Sequence, residues 1–268
     1  MFCLSLNPSH KSLIDKLGYI PAGLGDKFFT QGWLTDKTKK NIAFKNKYYG
    51  EYTFHYWLWK NKIIKHSKWI GFCQYRKFWI KPNCEVKDKN FSKLKNSILK
   101  EIPFKYKKYE VILGQNYCIN QFRFSKFMKH NLKTMLQSPE LFINEKLRNI
   151  KFHFDMMHGQ GNLDKAISVL DKKEQEDFRQ FVNKEISFNP FNMFICRNKN
   201  ILFKYYESVF PWLNRCERLF GFKNLHGYGL QRLYGFLAER YMSYWFQKYT
   251  KFAILKIHFK DLSDYLIK

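Results

Sequence analysis

Four groups of polar residues have the types and spacing to do chemistry. The first includes Asn46, Lys47, Tyr48 and Glu51, just before a long aromatic segment. If that segment is a helix, its N-terminus presents free N–H groups and a positive potential, which with Lys47 beside it would suit a phosphate or the hydroxyls of a sugar. The alternative is structural, with Asn46 capping the helix and Glu51 interacting favourably with its dipole.

The second group is the run Gln74, Tyr75, Arg76 and Lys77, which follows an apolar segment with the character of a buried strand. An arginine fork with a lysine beside it can hold a diphosphate and stabilise it as it leaves. The alternative is that Arg76 pairs with a carboxylate on the surface. The first interpretation requires this strand to end at a crevice.

The third group is Asp155 and His158, with Asp164 beyond them. An Asp and a His three residues apart can lie on one face of a helix, where they could activate a hydroxyl. A structural hydrogen bond is the alternative. Both interpretations predict that the two side chains point to the same side.

The fourth group, Arg232, Glu239 and Arg240, lies on a segment that is predicted to be the last long helix. A spacing of seven places Arg232 and Glu239 on one face, opposite an aromatic stripe. A carboxylate near an arginine forms an ordinary ion pair or acts as a base directed toward the crevice. Both alternatives predict that Arg232 is near Glu239.

Motifs for other chemistries are absent from the sequence. The eight histidines do not cluster at ligand spacing and no Asp-x-Asp occurs, so we predict no metal site and no cofactor. There is no Walker loop, GxGxxG, GxSxG or HExxH, which argues against nucleoside triphosphate hydrolysis, Rossmann redox chemistry and serine hydrolysis.

The elements that must position these groups alternate between strand and helix. That order predicts an α/β fold, with a mostly parallel sheet flanked by helices and a helical C-terminal part, and such sheets bind ligands outside the carboxyl ends of their strands. No internal repeat or linker divides the chain, so residues 1–268 are predicted to form one domain. The predicted strands are 2–6, 68–75, 110–114 and 191–196, and the predicted helices are 49–65, 120–136, 171–185, 199–213 and 229–248.

Two segments stand apart from this alternation. Residues 81–109 are rich in lysine and are predicted to be a surface insertion containing a helix with a solvated charged face. Residues 249–268 form a tail that mixes lysine with Phe, Ile and Leu. The tail is interpreted either as an edge strand or as a patch lying on an acidic membrane.

Composition limits the class of protein. With 268 residues and 45% hydrophobic content, the chain can bury a core without disulfides and is too apolar for a disordered polycation. The six cysteines form no CxxC pair, and Cys3, Cys73 and Cys196 sit in apolar runs as buried free thiols do, which fits a reducing compartment. No membrane span or secretory signal is recognisable, so we expect a cytoplasmic protein.

The net charge of +26 favours polyanionic partners: nucleic acid, an acidic membrane face or a phosphate-bearing substrate. Codon bias toward Lys, Asn, Phe, Ile and Tyr is a simpler explanation for most of the charge. Because the sequence holds no finger spacing, no RNP-like strand pair and no basic heptad region, we expect no specific nucleic-acid partner.

The segments above resemble a bacterial glycosyltransferase-like family, long filed as a domain of unknown function and found in capsule, O-antigen and exopolysaccharide gene clusters. The resemblance implies a glycosyltransferase-A-like (Rossmann-like) fold and a nucleotide-activated sugar as donor, and some members are considered galactofuranosyltransferases. The matching blocks are NKYYGEYTFHYWLWKN (46–61), WIGFCQYRKFW (69–79), the 158–164 loop, NPFNMFIC (189–196) and YGLQRLYGFLAERYMSYWF (228–246).

One departure from the family pattern affects the expected chemistry. The family usually has His-Tyr-Arg-Arg after the central strand, where this sequence has Gln74, Tyr75, Arg76 and Lys77. Glutamine keeps a hydrogen-bonding group but cannot become cationic, so a protonated role for that histidine is not available here.

The residues and the resemblance together predict a glycosyltransferase that moves a sugar from a nucleotide-diphosphate sugar to a hydroxyl of a lipid-linked capsule or lipopolysaccharide glycan without a metal. Cations at the strand end would balance the charge of the leaving diphosphate, and a carboxylate would deprotonate the acceptor. The candidate cations are Arg76, Lys77 and Lys47; the candidate bases are Glu239, Asp155 and His158; and the candidates for gripping the donor are Asn46, Tyr48, Glu51 and Asn192.

Such an enzyme would be cytoplasmic and would reach its acceptor at the inner face of the cytoplasmic membrane, where a basic surface helps to retain it. The alternative function is a non-catalytic basic protein that serves as a scaffold on that surface within a polysaccharide assembly complex.

Overall fold

The computed structural model describes residues 1–65, 68–84, 90–120 and 144–266. The predicted helix at 120–136 therefore lies outside the described residues, apart from its first position. The strands are β1 (Phe2–Ser5), β2 (Ile20–Gly23), β3 (Leu34–Thr35), β4 (Ile70–Gln74), β5 (Lys77–Trp79), β6 (Val111–Gly114), β7 (Tyr117–Cys118), β8 (Ser187–Phe188), β9 (Phe194–Cys196), β10 (Phe252–Leu255) and β11 (Ile257–Phe259).

Nine of these strands form the main sheet. Seven follow the order β3-β2-β1-β4-β9-β6-β10, and the other two extend it beside β4, where β5 pairs with β4 and β11 pairs with β5. Strands β1 to β4 run parallel, β9 is antiparallel to both of its neighbours, and β10 is parallel to β6. Six of the seven strands therefore point the same way, as the sequence predicts. The carboxyl ends of β1, β2 and β4 consequently meet at one edge of the sheet, which we call the carboxyl edge.

Helices cover both faces of the sheet. Along β4, Phe72 packs in one apolar cluster and Cys73 in the other, because successive side chains of a strand point to opposite faces. Burial on both faces explains why β4 reads as a continuous apolar run. The helices are α1 (Lys11–Leu17), α2 (Asn46–Tyr49), α3 (Tyr52–Lys60), α4 (Phe91–Ser97), α5 (Ile150–His158), α6 (Asn162–Ser168), α7 (Lys172–Lys184), α8 (Lys199–Phe220), α9 (Gly227–Gln231) and α10 (Leu233–Tyr249).

Several predicted helices have different bounds in the structure. The segment predicted as one helix over 49–65 is interrupted at Gly50, whose φ of 56° is left-handed, and it ends at Lys60. The segment 229–248 is divided at Arg232 into α9 and α10. The helix predicted over 199–213 extends to Phe220.

The two segments that stand apart in the sequence both contribute to the core. In the lysine-rich segment, α4 buries Leu94, and Ile98 forms a bridge with Ile80. The described part of the C-terminal tail contains β10, an edge strand of the main sheet, and β11, which pairs with β5. Of the two interpretations of the tail, the structure shows the edge strand.

The predicted free thiols Cys3, Cys73 and Cys196 are confirmed as free and buried. In the part of the chain that the structure describes, no helix combines the length and apolarity needed to span a bilayer.

Candidate functional site

A cavity of about 220 Å³ opens at the carboxyl edge of the sheet, beside the ends of β1 and β4. Seven residues singled out in the sequence line it, drawn from three distant parts of the chain. They are Asn46, Lys47, Glu51, Gln74, Tyr75, Arg76 and Arg232, and the lining also includes Leu4, Ser5, Leu6, Leu24, Gly50 and Gln231.

Among the described residues that line the cavity, Glu51 is the one with an acidic side chain. Its Oε1 accepts a hydrogen bond from Gln74 Nε2 at 2.8 Å, and its Oε2 lies 3.2 Å from Arg232 Nη2. The preceding Gly50 allows this approach, because a Cβ on it would lie 2.3 Å from Arg232 Nη2. Three segments of the chain therefore meet at a single carboxylate.

Gln74 connects Glu51 to the residues behind the cavity. Its Nε2 also donates to the Phe191 carbonyl, and its Oε1 accepts from Lys77 Nζ, each at 2.8 Å. Burial lowers the pKa of Lys77, an effect that the nearby Glu51 and Glu239 carboxylates oppose. Lys77 thus holds Gln74, and it is not among the described residues that line the cavity.

Phe191 and Asn192 form a turn in which both residues have left-handed φ values of 76° and 54°. Glu239 accepts the Phe191 N–H and pairs with Arg240, and Asn192 Nδ2 donates to the Gly235 carbonyl at 3.3 Å. Burial raises the pKa of Glu239, while the Arg240 charge opposes this shift. Glu239 and Asn192 therefore fix the turn whose carbonyl holds Gln74.

Arg76 and Lys47 are exposed at the rim of the cavity. The Arg76 guanidinium carbon lies 4.9 Å from the centre of the Tyr75 ring, and Lys47 Nζ lies 4.8 Å from that of Tyr48. The Tyr75 ring in turn packs on His10, with 5.0 Å between ring centres. Both cations therefore rest on aromatic rings that are themselves held in place.

The other residues of the first group have structural contacts. Asn46 donates from Nδ2 to the Gly50 carbonyl at 3.0 Å and to Thr53 Oγ1 at 3.1 Å, which fixes the interruption between α2 and α3. Tyr48 packs on Phe222, with 4.5 Å between ring centres, and is absent from the described lining.

Asp155 and His158 are not brought together. Asp155 pairs with Lys151 at 2.7 Å and accepts the Gly161 N–H at 3.1 Å. His158 Nδ1 contacts the Gly229 carbonyl at 3.0 Å, and burial holds the pKa of this histidine well below its usual value. Neither is among the described residues that line the cavity, and each has its own structural contacts in place of the hydrogen bond between them that the structural alternative predicts.

The sequence predicts that Arg232 lies near Glu239, but the structure gives each side chain a different ion-pair partner. Arg232 lies in the break before α10 and pairs with Glu51, whereas Glu239 pairs with its neighbour Arg240. Arg240 is buried, and its guanidinium carbon lies 3.9 Å from the centre of the Phe188 ring.

Within the ranges that the structure describes, no three His, Cys, Asp or Glu side chains group closely enough to hold a metal ion.

Sequence reasoning missed the apolar wall of the cavity, formed by Leu4, Leu6 and Leu24. Leu4 and Leu6 belong to the first apolar run of the sequence, which ends at polar residues as the run before Gln74 does. That pattern could have placed them at the same edge of the sheet as Gln74. The contribution of Leu24 depends on β2 pairing with β1, and no motif in the sequence encodes that pairing.

Comparison with known proteins gives two similarities. Residues 8–251 match the model of a family described as "Domain of unknown function (DUF4422)". The chain is also similar to the apo structure of a WbbM bifunctional glycosyltransferase, at 20% sequence identity and a TM-score of 0.64. The similarity covers 96% of this chain and 44% of that chain, so this chain spans less than half of that relative. This structural similarity confirms the predicted fold. No curated protein matches.

Proposed function

The chain belongs to the DUF4422 family, and we propose that it is a glycosyltransferase. It would move a sugar, such as a hexosyl or galactofuranosyl group, from a nucleotide-diphosphate sugar to a hydroxyl of a lipid-linked capsule or lipopolysaccharide glycan. The observation that carries the proposal is the cavity at the carboxyl edge, where α/β sheets bind their ligands. The shared fold with a glycosyltransferase supports it.

The lining of the cavity suits a nucleoside diphosphate. Leu4, Leu6 and Leu24 offer apolar surface to a nucleoside, while Arg76, Arg232 and Lys47 offer positive charge to a diphosphate. Arginine forks bind phosphate oxygens in a bidentate manner, which fixes the orientation of the group as well as attracting it.

The same cations would act in the transfer step. The acceptor hydroxyl oxygen bonds to the anomeric carbon as the bond from that carbon to the diphosphate oxygen breaks, and the electron pair leaves with the nucleoside diphosphate. Arg76 and Arg232 would stabilise the negative charge that develops on the leaving diphosphate oxygen. Because the described lining offers one carboxylate and these cations, we propose that the reaction needs no divalent metal.

We assign removal of the acceptor proton to Glu51. None of the three bases expected from the sequence is among the described residues that line the cavity: Asp155 and His158 make structural contacts elsewhere, and Glu239 is buried, where it holds Phe191 and Arg240. Glu51 lines the cavity, and Gln74 and Arg232 fix its orientation. Glu239 is then a positioning residue, acting through Phe191 and Gln74.

The test is release of nucleoside diphosphate from a panel of nucleotide sugars, in the presence of a bacterial lipid-linked glycan extract. The proposal predicts release from at least one donor, with sugar incorporated into the lipid fraction. Binding to anionic vesicles without release from any donor would contradict it and favour the scaffold alternative. The enzyme would work at the cytoplasmic membrane face, as a peripheral protein.

A further inference from the structure

Two phenylalanine side chains project into solvent beside the cavity. Phe28 is 82% exposed and Phe44 is 72% exposed. Both belong to the segment 25–45, which leaves the cavity wall after Leu24 and returns to it at Asn46. Large apolar side chains that are exposed this fully and rimmed by polar residues mark sites of interaction with a protein or a membrane.

The backbone keeps the two phenylalanines close to the cavity mouth. A Cβ built on Gly25 would lie 3.4 Å from Asn46 Oδ1, so the two ends of the segment are in contact. Consecutive Cα atoms are about 3.8 Å apart, so Phe28 lies within about 11 Å of Gly25 and Phe44 within about 8 Å of Asn46. The backbone of both residues therefore lies near the same contact.

Lysines accompany these rings. Lys27 and Lys37 are exposed, and Lys37 Nζ donates to the Lys27 carbonyl at 3.1 Å, which holds the two together. Lys27 also lies near the cavity: burial lowers the pKa of His10, the Lys27 charge lowers it further, and His10 packs on Tyr75. We call Lys27, Phe28, Lys37 and Phe44 the entrance patch. Asp26 is an exposed acid beside it.

We propose that the entrance patch docks the protein on a bilayer rich in anionic phospholipids, so that the cavity opens toward a lipid-linked acceptor. Exposed aromatic side chains insert at the boundary between headgroups and acyl chains, and lysines beside them attract anionic headgroups. This inference rests on the proposed function, since it identifies where that reaction meets its acceptor. It places membrane contact on the segment 25–45, not on the C-terminal tail.

A second basic and aromatic surface provides a matched control. Phe104 is 86% exposed and is flanked by Lys105 and Lys107. Lys107 lines a groove of about 690 Å³ together with Met1 and Trp69, at the opposite edge of the sheet. Docking through this surface would turn the cavity away from the membrane, so the inference predicts that Phe104 contributes little.

The experiment measures co-sedimentation with vesicles of phosphatidylethanolamine and phosphatidylglycerol, and with vesicles of phosphatidylcholine alone. The wild-type protein should bind the anionic vesicles, and the Phe28→Ser/Phe44→Ser variant should bind them at least about tenfold more weakly, given the free energy of burying an aromatic side chain. Lys27→Glu/Lys37→Glu should weaken binding by a similar factor. Phe104→Ser should bind within about twofold of wild type.

Three results would overturn the inference: no binding of the wild type to anionic vesicles, equal binding to both kinds of vesicle, or a loss in Phe104→Ser as large as in the Phe28→Ser/Phe44→Ser variant. Nucleotide-sugar binding in vesicle-free solution is measured on the same proteins. Retained donor binding in a variant that no longer binds vesicles shows that the variant is folded. Failed docking with intact donor binding rejects the membrane surface and leaves the proposed reaction in place.

Discussion

Arg232 and Glu51 form an ion pair at the cavity, although they are 181 residues apart in the chain. The pair joins the break before α10 to the interruption before α3. A diphosphate that binds Arg232 would therefore also act on the carboxylate to which we assign proton removal. In the proposed reaction, donor binding and acceptor activation would be coupled through this contact.

Arg76→Ala and Arg232→Ala should each lower kcat/KM for transfer by about 10² to 10³, the loss typical of removing one preorganised donor to a developing negative charge. Steady-state release of nucleoside diphosphate measures the effect. Arg197→Ala is the control, because Arg197 is an exposed arginine in the groove at the opposite edge. Equal rates in Arg76→Ala and Arg197→Ala would remove Arg76 from the mechanism.

Glu51→Gln should mainly lower the catalytic rate, whereas Glu239→Gln should mainly lower the stability of the fold. Glu51→Gln keeps a side chain of the same shape, so kcat should fall by about 10² or more with little change in stability. Glu239→Gln leaves the Arg240 charge buried beside a neutral partner and should lower the free energy of unfolding by about 3 kcal/mol or more. Urea denaturation and kcat measured on both variants separate the roles. A larger loss of kcat in folded Glu239→Gln than in Glu51→Gln would reverse the assignment.

Acid should destabilise the fold through histidines whose pKa the fold lowers, among them His55 and His153. Burial lowers the pKa of His55 to about 3, and burial together with the Arg240 charge lowers that of His153 to about 3. Below the usual value of 6.5 the unfolded chain binds more protons than the folded one, so stability falls as pH drops from 6.5 toward 3. At pH 5 each histidine should cost about 2 kcal/mol relative to pH 7.

Carboxyl groups whose pKa the fold raises oppose this acid effect, and Asp36 is one of them. Burial raises the pKa of Asp36 from 3.8 to about 6, so the folded protein takes up that proton first, which stabilises it by about 1 kcal/mol between pH 7 and pH 5. Urea titrations at the two pH values measure the net loss. From pH 7 to pH 5 the free energy of unfolding of the His55→Gln variant should fall by less than that of the wild type, whatever the stability of the variant at pH 7. The variant His226→Gln, which replaces an exposed histidine, should show the same fall as the wild type. An unchanged pH dependence in His55→Gln would contradict the assignment.

Transfer should persist in excess chelator, because the proposed cations replace a metal at the leaving diphosphate. Turnover in EDTA is compared with turnover in added manganese. A fall to background that manganese restores would show that a divalent ion is required.

Four of the strands, β1, β4, β6 and β9, could be predicted because each is a short apolar run that ends at polar residues. The cavity could be predicted in part: Gln74 and Arg76 follow such a run, and a strand end in an α/β sheet indicates a crevice. The ion pair between Arg232 and Glu51 could not, because the apolar periodicity of Leu230, Leu233 and Leu237 continues across residue 232 and hides the break between α9 and α10. Asp155 and His158 have the spacing of a pair, yet Asp155 contacts the nearby Lys151 and Gly161 while His158 contacts the distant Gly229.

The most direct test of the central claim is calorimetric or thermal-shift titration of nucleoside diphosphates and nucleotide sugars in EDTA, using the wild type and Arg76→Ala/Arg232→Ala. A ligand at about 100 times its Kd should stabilise the wild type by about 2.7 kcal/mol. The account predicts that at least one nucleotide raises the Tm of the wild type and that the double variant loses most of this shift. A panel without any shift, or an equal shift in both proteins, would contradict it.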